Sequence, residues 1–361
     1  MDLNLTEDQE TIRSVFAAFF SGETGPARAR EAEPTGFDAA AWERLLETGA
    51  PGMGVPEVAG GGGASLADLA VVATEAGAQI APLPLVDHGV ASRLLAGLPN
   101  RDDSEPTIDE GILVGSTIVG LAIRPASDGS ARTVPSGAVA HRVVALDGER
   151  LVIDGPLAEV PVAGAGHLVN HGCLPLAHRD LSDVTVLATG SEAVAAHARA
   201  VDEWRTLTAA TLVGVAREAL ALGVRYVQER EQFGRPVGSF QAVQHLLADL
   251  PGLIDGAHLL ASKAAWAGDR TTDGSTGVLD VDANDVTDFP ALAAMALVAA
   301  GEAATLATDR SLHVHGGYGF SEEYDIQLFF RRARALALLL GDPARECRRL
   351  ADRMFTDSAA A

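Results

Sequence analysis

The hydrophobic periodicity of this chain changes twice along its length, and that pattern constrains its fold more than any other feature. At the N-terminus Thr6 and Gln9 have the T-x-x-Q spacing of a capping box, and Ile12, Val15, Phe16, Phe19 and Phe20 follow at helical spacing. Asp38 is placed to cap a second helix carrying Trp42, Leu45 and Leu46 inward, with Gly49 just past its end. After the run Gly60 to Gly63, Ser65 and Asp68 repeat the capping-box spacing for a third helix reaching about Gly77, and residues 85–98 read as a fourth. Between about 110 and 190 the pattern becomes short β-rich runs, at 112–123, 139–146, 151–153, 160–162 and 184–187. Asp147-Gly148, between two of these runs, predicts a hairpin turn, because both residue types tolerate positive φ. From 191 the long helical periods return. Phe240, Val243, Gln244, Leu247 and Leu250 share one face, an Ala-rich apolar helix covers 292–306, and the Gly- and Asp-rich stretch 268–288 reads as a surface loop. The chain is therefore expected to be mainly α with a middle β domain. The expected segments are an N-terminal helical domain (1–108), a middle β domain (109–190) and a C-terminal helical bundle domain (191–361).

Composition excludes several function classes. With 361 residues and 47% hydrophobic content the chain can bury a large core without metals or disulfides. A formal charge of −22 opposes nucleic-acid phosphates over much of the surface. The two cysteines, Cys173 and Cys347, form no CxxC pair, so neither a disulfide framework nor a zinc site is expected. His167, His171 and Cys173 lie near one another without a further ligand to fix a geometry, and no metal is expected there. The first residues, MDLNLTEDQE, are acidic and polar rather than basic then apolar. No membrane span is expected, and a reducing cytoplasm fits.

Three local strings carry more specific information. The first runs from Arg230-Glu231-Gln232-Phe233-Gly234-Arg235-Pro236-Val237-Gly238 to Gln241. It offers a guanidinium fork for phosphate, an aromatic surface and an amide within one helix-turn-helix segment. The second is His315-Gly316-Gly317-Tyr318-Gly319-Phe320 followed by Arg331-Arg332-Ala333-Arg334, and the third is Pro56-Glu57 before the glycine run. Taken singly, the glycines also have a plainer reading as a tight turn between helices, and Arg230 as a solvated helix-end cation. Taken together, from Pro56 to Arg334, the strings resemble the acyl-CoA dehydrogenase family.

The resemblance implies an N-terminal helical domain, a β-barrel-like middle domain and a C-terminal four-helix bundle, with FAD as cofactor. It implies that Arg230, Phe233 and Gln241 reach across a dimer interface to the pyrophosphate and adenosine of a neighbouring subunit's FAD. Gly316 and Gly317 then let the backbone approach that adenosine, and His313 stands where relatives place a glutamine. The family reaction removes the α proton of an acyl-CoA with a glutamate while hydride leaves the β carbon for the flavin, so a base and an electron sink are both needed.

The base is where this chain departs from its relatives. Counting from Arg331-Arg332-Ala333-Arg334 puts Leu340 where glutamate is expected, and counting back from Arg230 puts Trp204 on the alternative base position. Neither can take a proton. Asp342 is the nearest carboxylate to the first position, with a helix or turn cap before Pro343 as its plainer role. Glu203 adjoins Trp204 but points roughly 100° away around the helix. Asp202 and Arg205 match positions that line the acyl-CoA channel in relatives, and read equally as a surface i, i+3 ion pair. In the middle domain Arg124 replaces a glutamate of the string that faces the flavin ring. The resemblance therefore implies a subunit of an FAD-dependent acyl-CoA dehydrogenase, acting in fatty-acid or steroid degradation. A second acyl-CoA dehydrogenase-like subunit would complete the site in a heterotetramer, and an electron-transfer flavoprotein would accept the electrons. The alternatives are a self-sufficient dehydrogenase using Asp342, a flavin monooxygenase-like relative, and a non-catalytic scaffold subunit.

Overall fold

Both capping boxes read from the sequence close in the computed structural model, which describes residues 2–98, 108–155, 166–270 and 288–356. Thr6 Oγ1 accepts from Gln9 N at 3.2 Å and Gln9 Oε1 from Thr6 N at 3.1 Å, opening α1 (Glu7–Glu23). After α2 (Pro26–Glu31), Asp38 caps α3 (Ala39–Leu46) by accepting from Ala41 N at 3.0 Å, and the same carboxylate pairs with Arg28 at 2.7 Å. Ser65 and Asp68 close the second box and open α4 (Leu66–Ala78), and α5 (Leu85–Ala96) follows.

The apolar run over 112–123 is not one strand. Asp109 Oδ1 accepts from Ile112 N at 2.7 Å, and Gly115 ends the turn at φ +82°, so the first half becomes α6 (Glu110–Val114) and only the second half becomes β1 (Val119–Leu121). β2 (Ser130–Val134) follows, then β3 (Arg142–Asp147), β4 (Arg150–Asp154), β5 (Ala177–Asp180) and β6 (Val184–Thr189). One sheet has the order β1-β3-β4-β6, with β1 parallel to β3 and the other pairs antiparallel, while β2 and β5 form a separate antiparallel pair. The hairpin turn falls one residue later than expected. Asp147 pairs with Arg150, so the loop is Gly148-Glu149 with Gly148 at φ +60°, glycine taking the first turn position. The strand expected over 160–162 lies outside the described residues.

α7 (Gly190–Glu229) is 40 residues long, roughly 60 Å at the helical rise. The short hairpin β7 (Glu231–Gln232) and β8 (Arg235–Pro236) leads to α8 (Gln241–Ala248) and α9 (Leu250–Arg270), then to α10 (Phe289–Val314), α11 (Ile326–Leu338) and α12 (Pro343–Thr356). The expected 268–288 loop begins later than predicted, since α9 continues to Arg270, and its remainder up to 287 lies outside the described residues. α7 and α10 are long and apolar enough to cross a membrane by length and composition, with mean hydropathy 1.5 and 1.6. In each, 61% of the apolar window is buried inside the protein, the pattern of a core helix.

The chain forms two compact units, residues 1–27, 70–81 and 205–361 in one and 28–69 and 82–204 in the other. In the first, α10 packs between α9 and α11 along a face of small residues, Ala293, Ala296, Ala300 and Ala304 all being fully buried. α4 crosses α7 at two glycines: a Cβ on Gly77 would lie 2.1 Å from Thr211 O, and one on Gly214 would lie 2.0 Å from Thr74 O. In the second unit a buried ion pair, Arg179 to Asp154 at 2.6 Å, ties β5 to β4. Asp154 also accepts from Val143 N at 2.6 Å, and Arg179 donates to Ala140 O at 2.8 Å, so this charge pair is hydrogen-bonded on both sides.

Candidate functional site

α7 stops at Glu229 and the chain turns at once into the β7–β8 hairpin. Its two-residue loop, Phe233-Gly234, has φ of +55° and +78°, both in the left-handed region, as a type I′ turn requires. Glycine takes that conformation freely, whereas phenylalanine does so at a cost of about 1 kcal/mol or more. The ring nevertheless stands 94% exposed. The strained backbone thus holds an apolar ring outside the core, edge-on to Phe240 at 6.2 Å. Val237 N donates to Arg230 O at 2.7 Å and the Arg235 guanidinium lies 4.0 Å over the Phe240 ring, so the hairpin is pinned at its base.

The second string begins where α10 ends. Its glycines form a 3-10 turn, Gly316–Phe320, and do three different things. Gly316 sits at φ +61°. At Gly319 a Cβ would lie 2.4 Å from Leu312 O, so packing of the turn on α10 demands glycine. Gly317 has no positive φ and a Cβ there would meet nothing within 4 Å, so nothing among the described residues requires glycine at that position.

These two strings enclose a cavity of about 440 Å³ in the 205–361 segment, bringing together Arg230, His313, Gly316 and Gly317 of the predicted cofactor set. Phe233 and Gln241 stand outside its lining, Phe233 at the hairpin tip and Gln241 exposed in the first turn of α8. Among the described residues no carboxylate lines the cavity, although the chain carries 49 acidic residues. Among the described residues no carboxylate pairs with Arg230 either; its guanidinium carbon lies 5.5 Å from the Tyr318 ring centroid. An unneutralised guanidinium, open backbone at Gly317 and aromatic faces fit the diphosphate and sugar of a dinucleotide. Sequence reasoning passed over the cavity's aromatic wall. Tyr226, Tyr318 and Tyr324 are the chain's three tyrosines, and all three form ring contacts in one cluster with His315. Burial raises the Tyr226 hydroxyl above its usual range and lowers the His315 imidazole below its own.

The two expected base positions are apolar and committed elsewhere. In the unit holding residues 82–204, Trp204 is 1% exposed and its Nε1 donates to Asp87 Oδ1 at 2.8 Å, while Ser136 Oγ donates to Asp87 Oδ2. Burial raises the Asp87 carboxyl, and these two donors pull it partly back. Glu203 is buried and pairs with Arg93 at 2.9 Å and Arg199 at 3.3 Å. Asp202 is also buried. In the other unit, Arg205 pairs with Glu346 at 3.2 Å, its side chain 15% exposed. The reading of Asp202 and Arg205 as a surface pair is thus corrected, because packing withdraws both from solvent. Leu340 lines a second cavity, about 640 Å³, among α10, α11 and α12. Asp342 is exposed, and its Oδ1 accepts from Ala344 N at 2.9 Å, the plainer capping role. In the middle segment Arg124 is exposed.

Comparison with known proteins agrees with this architecture. Residues 6–99 match the family described as acyl-CoA dehydrogenase, N-terminal domain, and residues 194–355 match acyl-CoA dehydrogenase, C-terminal domain. The chain is 30% identical to acyl-CoA dehydrogenase IpdE2 of Mycolicibacterium smegmatis over 97% of its own length and 100% of that protein. It is also 30% identical to IpdE2 of Mycobacterium tuberculosis, over 97% of this chain and 98% of that one. Among solved structures, the Tcur3481-Tcur3483 steroid ACAD G363A variant superposes with a TM-score of 0.83 at 27% identity, covering 98% of this chain and 99% of that one. The protein belongs to the acyl-CoA dehydrogenase family of oxidoreductases.

Proposed function

We propose that this chain is the flavin-sharing subunit of a heteromeric acyl-CoA dehydrogenase that carries out α,β-dehydrogenation of an acyl-CoA thioester. The observation that carries the reading is a cavity in which, among the described residues, no carboxylate meets Arg230, set against Leu340 and Trp204 at both positions where a base is expected. Arg230, His313, Gly316 and Gly317 would hold the diphosphate and adenosine end of FAD. FAD, when bound, supplies the hydride acceptor. Phe233, held out in solvent on a strained turn, supports a partner at this end of the unit. A second acyl-CoA dehydrogenase-like chain would contribute the proton acceptor and the ring pocket, and an electron-transfer flavoprotein would take the electrons in the cytoplasm. Asp202 and Arg205 would border the acyl-CoA channel. A steroid-like acyl group is favoured by the likeness to the Tcur3481-Tcur3483 steroid ACAD.

Coexpression with a second acyl-CoA dehydrogenase-like subunit, followed by native mass and flavin-to-protein ratio, tests the reading. A heteromer with about one FAD per pair of chains is expected. A stable homotetramer carrying one FAD per chain would overturn it.

A further inference from the structure

The Arg230 side chain is long and exposed, and among the described residues no carboxylate holds it. Left to itself, such a guanidinium samples many rotamers, and each anion it captures must first order it. Its described contact is the ring of Tyr318, 5.5 Å from guanidinium carbon to centroid, within the range of cation–π attraction. That ring is not a loose surface aromatic. Tyr318 packs on Tyr324 at 5.2 Å, and Tyr324 meets both Tyr226 and His315 edge-on at 6.4 and 6.2 Å. His315 stacks on Tyr226 at 4.1 Å and donates from Nδ1 to Ser311 O at 2.6 Å, while the Tyr226 hydroxyl donates to His315 O at 3.3 Å. The cluster therefore braces the end of α10 against the end of α7, with Tyr318, 46% exposed, as its outer face. Arg230 lies one residue past the end of α7, four after Tyr226.

We infer that Tyr318 is a positioning residue. Its ring holds the Arg230 guanidinium extended over the cavity, so that a dinucleotide diphosphate meets a preordered fork. A carboxylate could also have fixed the arginine, but it would have neutralised the charge the anion needs. An aromatic face orients the cation and leaves its N–H groups free to donate. This rests on the reading that the cavity takes FAD.

The test uses the flavin-loaded assembly as purified and follows FAD release on dilution by the recovery of flavin fluorescence. Arg230→Ala should weaken FAD retention about tenfold or more, as loss of charge-assisted hydrogen bonds does. Tyr318→Leu should weaken it about twofold to fivefold, whereas Tyr318→Phe, which keeps the ring, should match the parent. In the Arg230→Ala background, Tyr318→Leu should cost nothing more, because there is no guanidinium left to position. Thermal unfolding of the flavin-free Arg230→Ala and Tyr318→Phe variants should be unchanged, and any shift from Tyr318→Leu should be the same with and without Arg230, which separates packing in the turn from the effect on FAD. A Tyr318→Leu loss that persists in full without Arg230, a Tyr318→Leu protein that retains FAD like the parent, or failure of Tyr318→Phe to restore binding would each overturn the inference. Parental FAD retention by Arg230→Ala would instead remove the reading of the cavity on which it rests.

Discussion

His88 shows how a single side chain can report on the folded state. It is fully buried in α5, its Nδ1 accepting from Val119 N at 3.2 Å, with the Ser92 hydroxyl 3.4 Å from Nε2 and Trp42 edge-on at 5.6 Å. Burial lowers its pKa from 6.5 to about 4. Between those values the unfolded chain binds the proton and the folded chain does not, so stability rises with pH across that window. The contribution is complete above about pH 6.5 and lost as the pH falls through 4, a change of about 3 kcal/mol. His88→Asn keeps an acceptor for Val119 N and removes the titration. Urea unfolding at pH 7 and pH 4.5 should show a smaller acid loss in the variant than in the parent; equal losses would assign the acid sensitivity elsewhere. A histidine in an apolar helix was not legible as buried from the sequence, because what buries it is β1, 31 residues away along the chain.

At the scale of elements, the crossing of α4 and α7 depends on the absence of two side chains. Gly214 lies against Thr74 O and Ala78 N, at 2.0 and 2.7 Å from a would-be Cβ, and these are backbone atoms that cannot swing aside. Gly214→Ala should therefore force the helices apart and destabilise by roughly 1–3 kcal/mol. Gly89 in α5 is the control, since a Cβ there meets nothing within 4 Å, and Gly89→Ala should be neutral or stabilising by up to about 1 kcal/mol. Thermal midpoints of the two variants check this, and similar shifts for both would refute the close-crossing account. Element boundaries were legible wherever a local hydrogen bond sets them, as at Thr6, Asp38 and Ser65. The error at 112–123 came from reading apolar content without Asp109 and Gly115, a helix start and stop placed around it. β2 and β5 were missed because SARTV and AHRD carry too few apolar residues to alternate, and their pairing is settled between positions far apart in the chain, Val134 with Ala177 at the nearer end and Ser130 with Asp180 at the farther.

For the whole molecule the decisive measurement is turnover by the chain without a partner. If Leu340 and Trp204 occupy the base positions, as we propose, anaerobic assay with an acyl-CoA and an artificial electron acceptor should give a rate about 10² to 10⁴ below that of relatives with a positioned base. Asp342→Asn should leave the residual rate unchanged, because that carboxylate is engaged with Ala344 N at the start of α12. Full turnover abolished by Asp342→Asn would make Asp342 the base and remove the need for a partner. The sequence by itself determined the family and the helical, β and helical order, and it places Leu340 and Trp204 where a base is expected, because these reside in residue identity, spacing and period. Only the tertiary structure decided that Arg230, His313 and the glycines face one cavity while Phe233 and Gln241 do not, and that Tyr226 and Tyr318 wall it. It also decided that Asp87 receives the Trp204 indole across 117 residues of chain. Those are questions of which side chains meet, and the chain settles them through packing between segments that its local patterns describe one at a time.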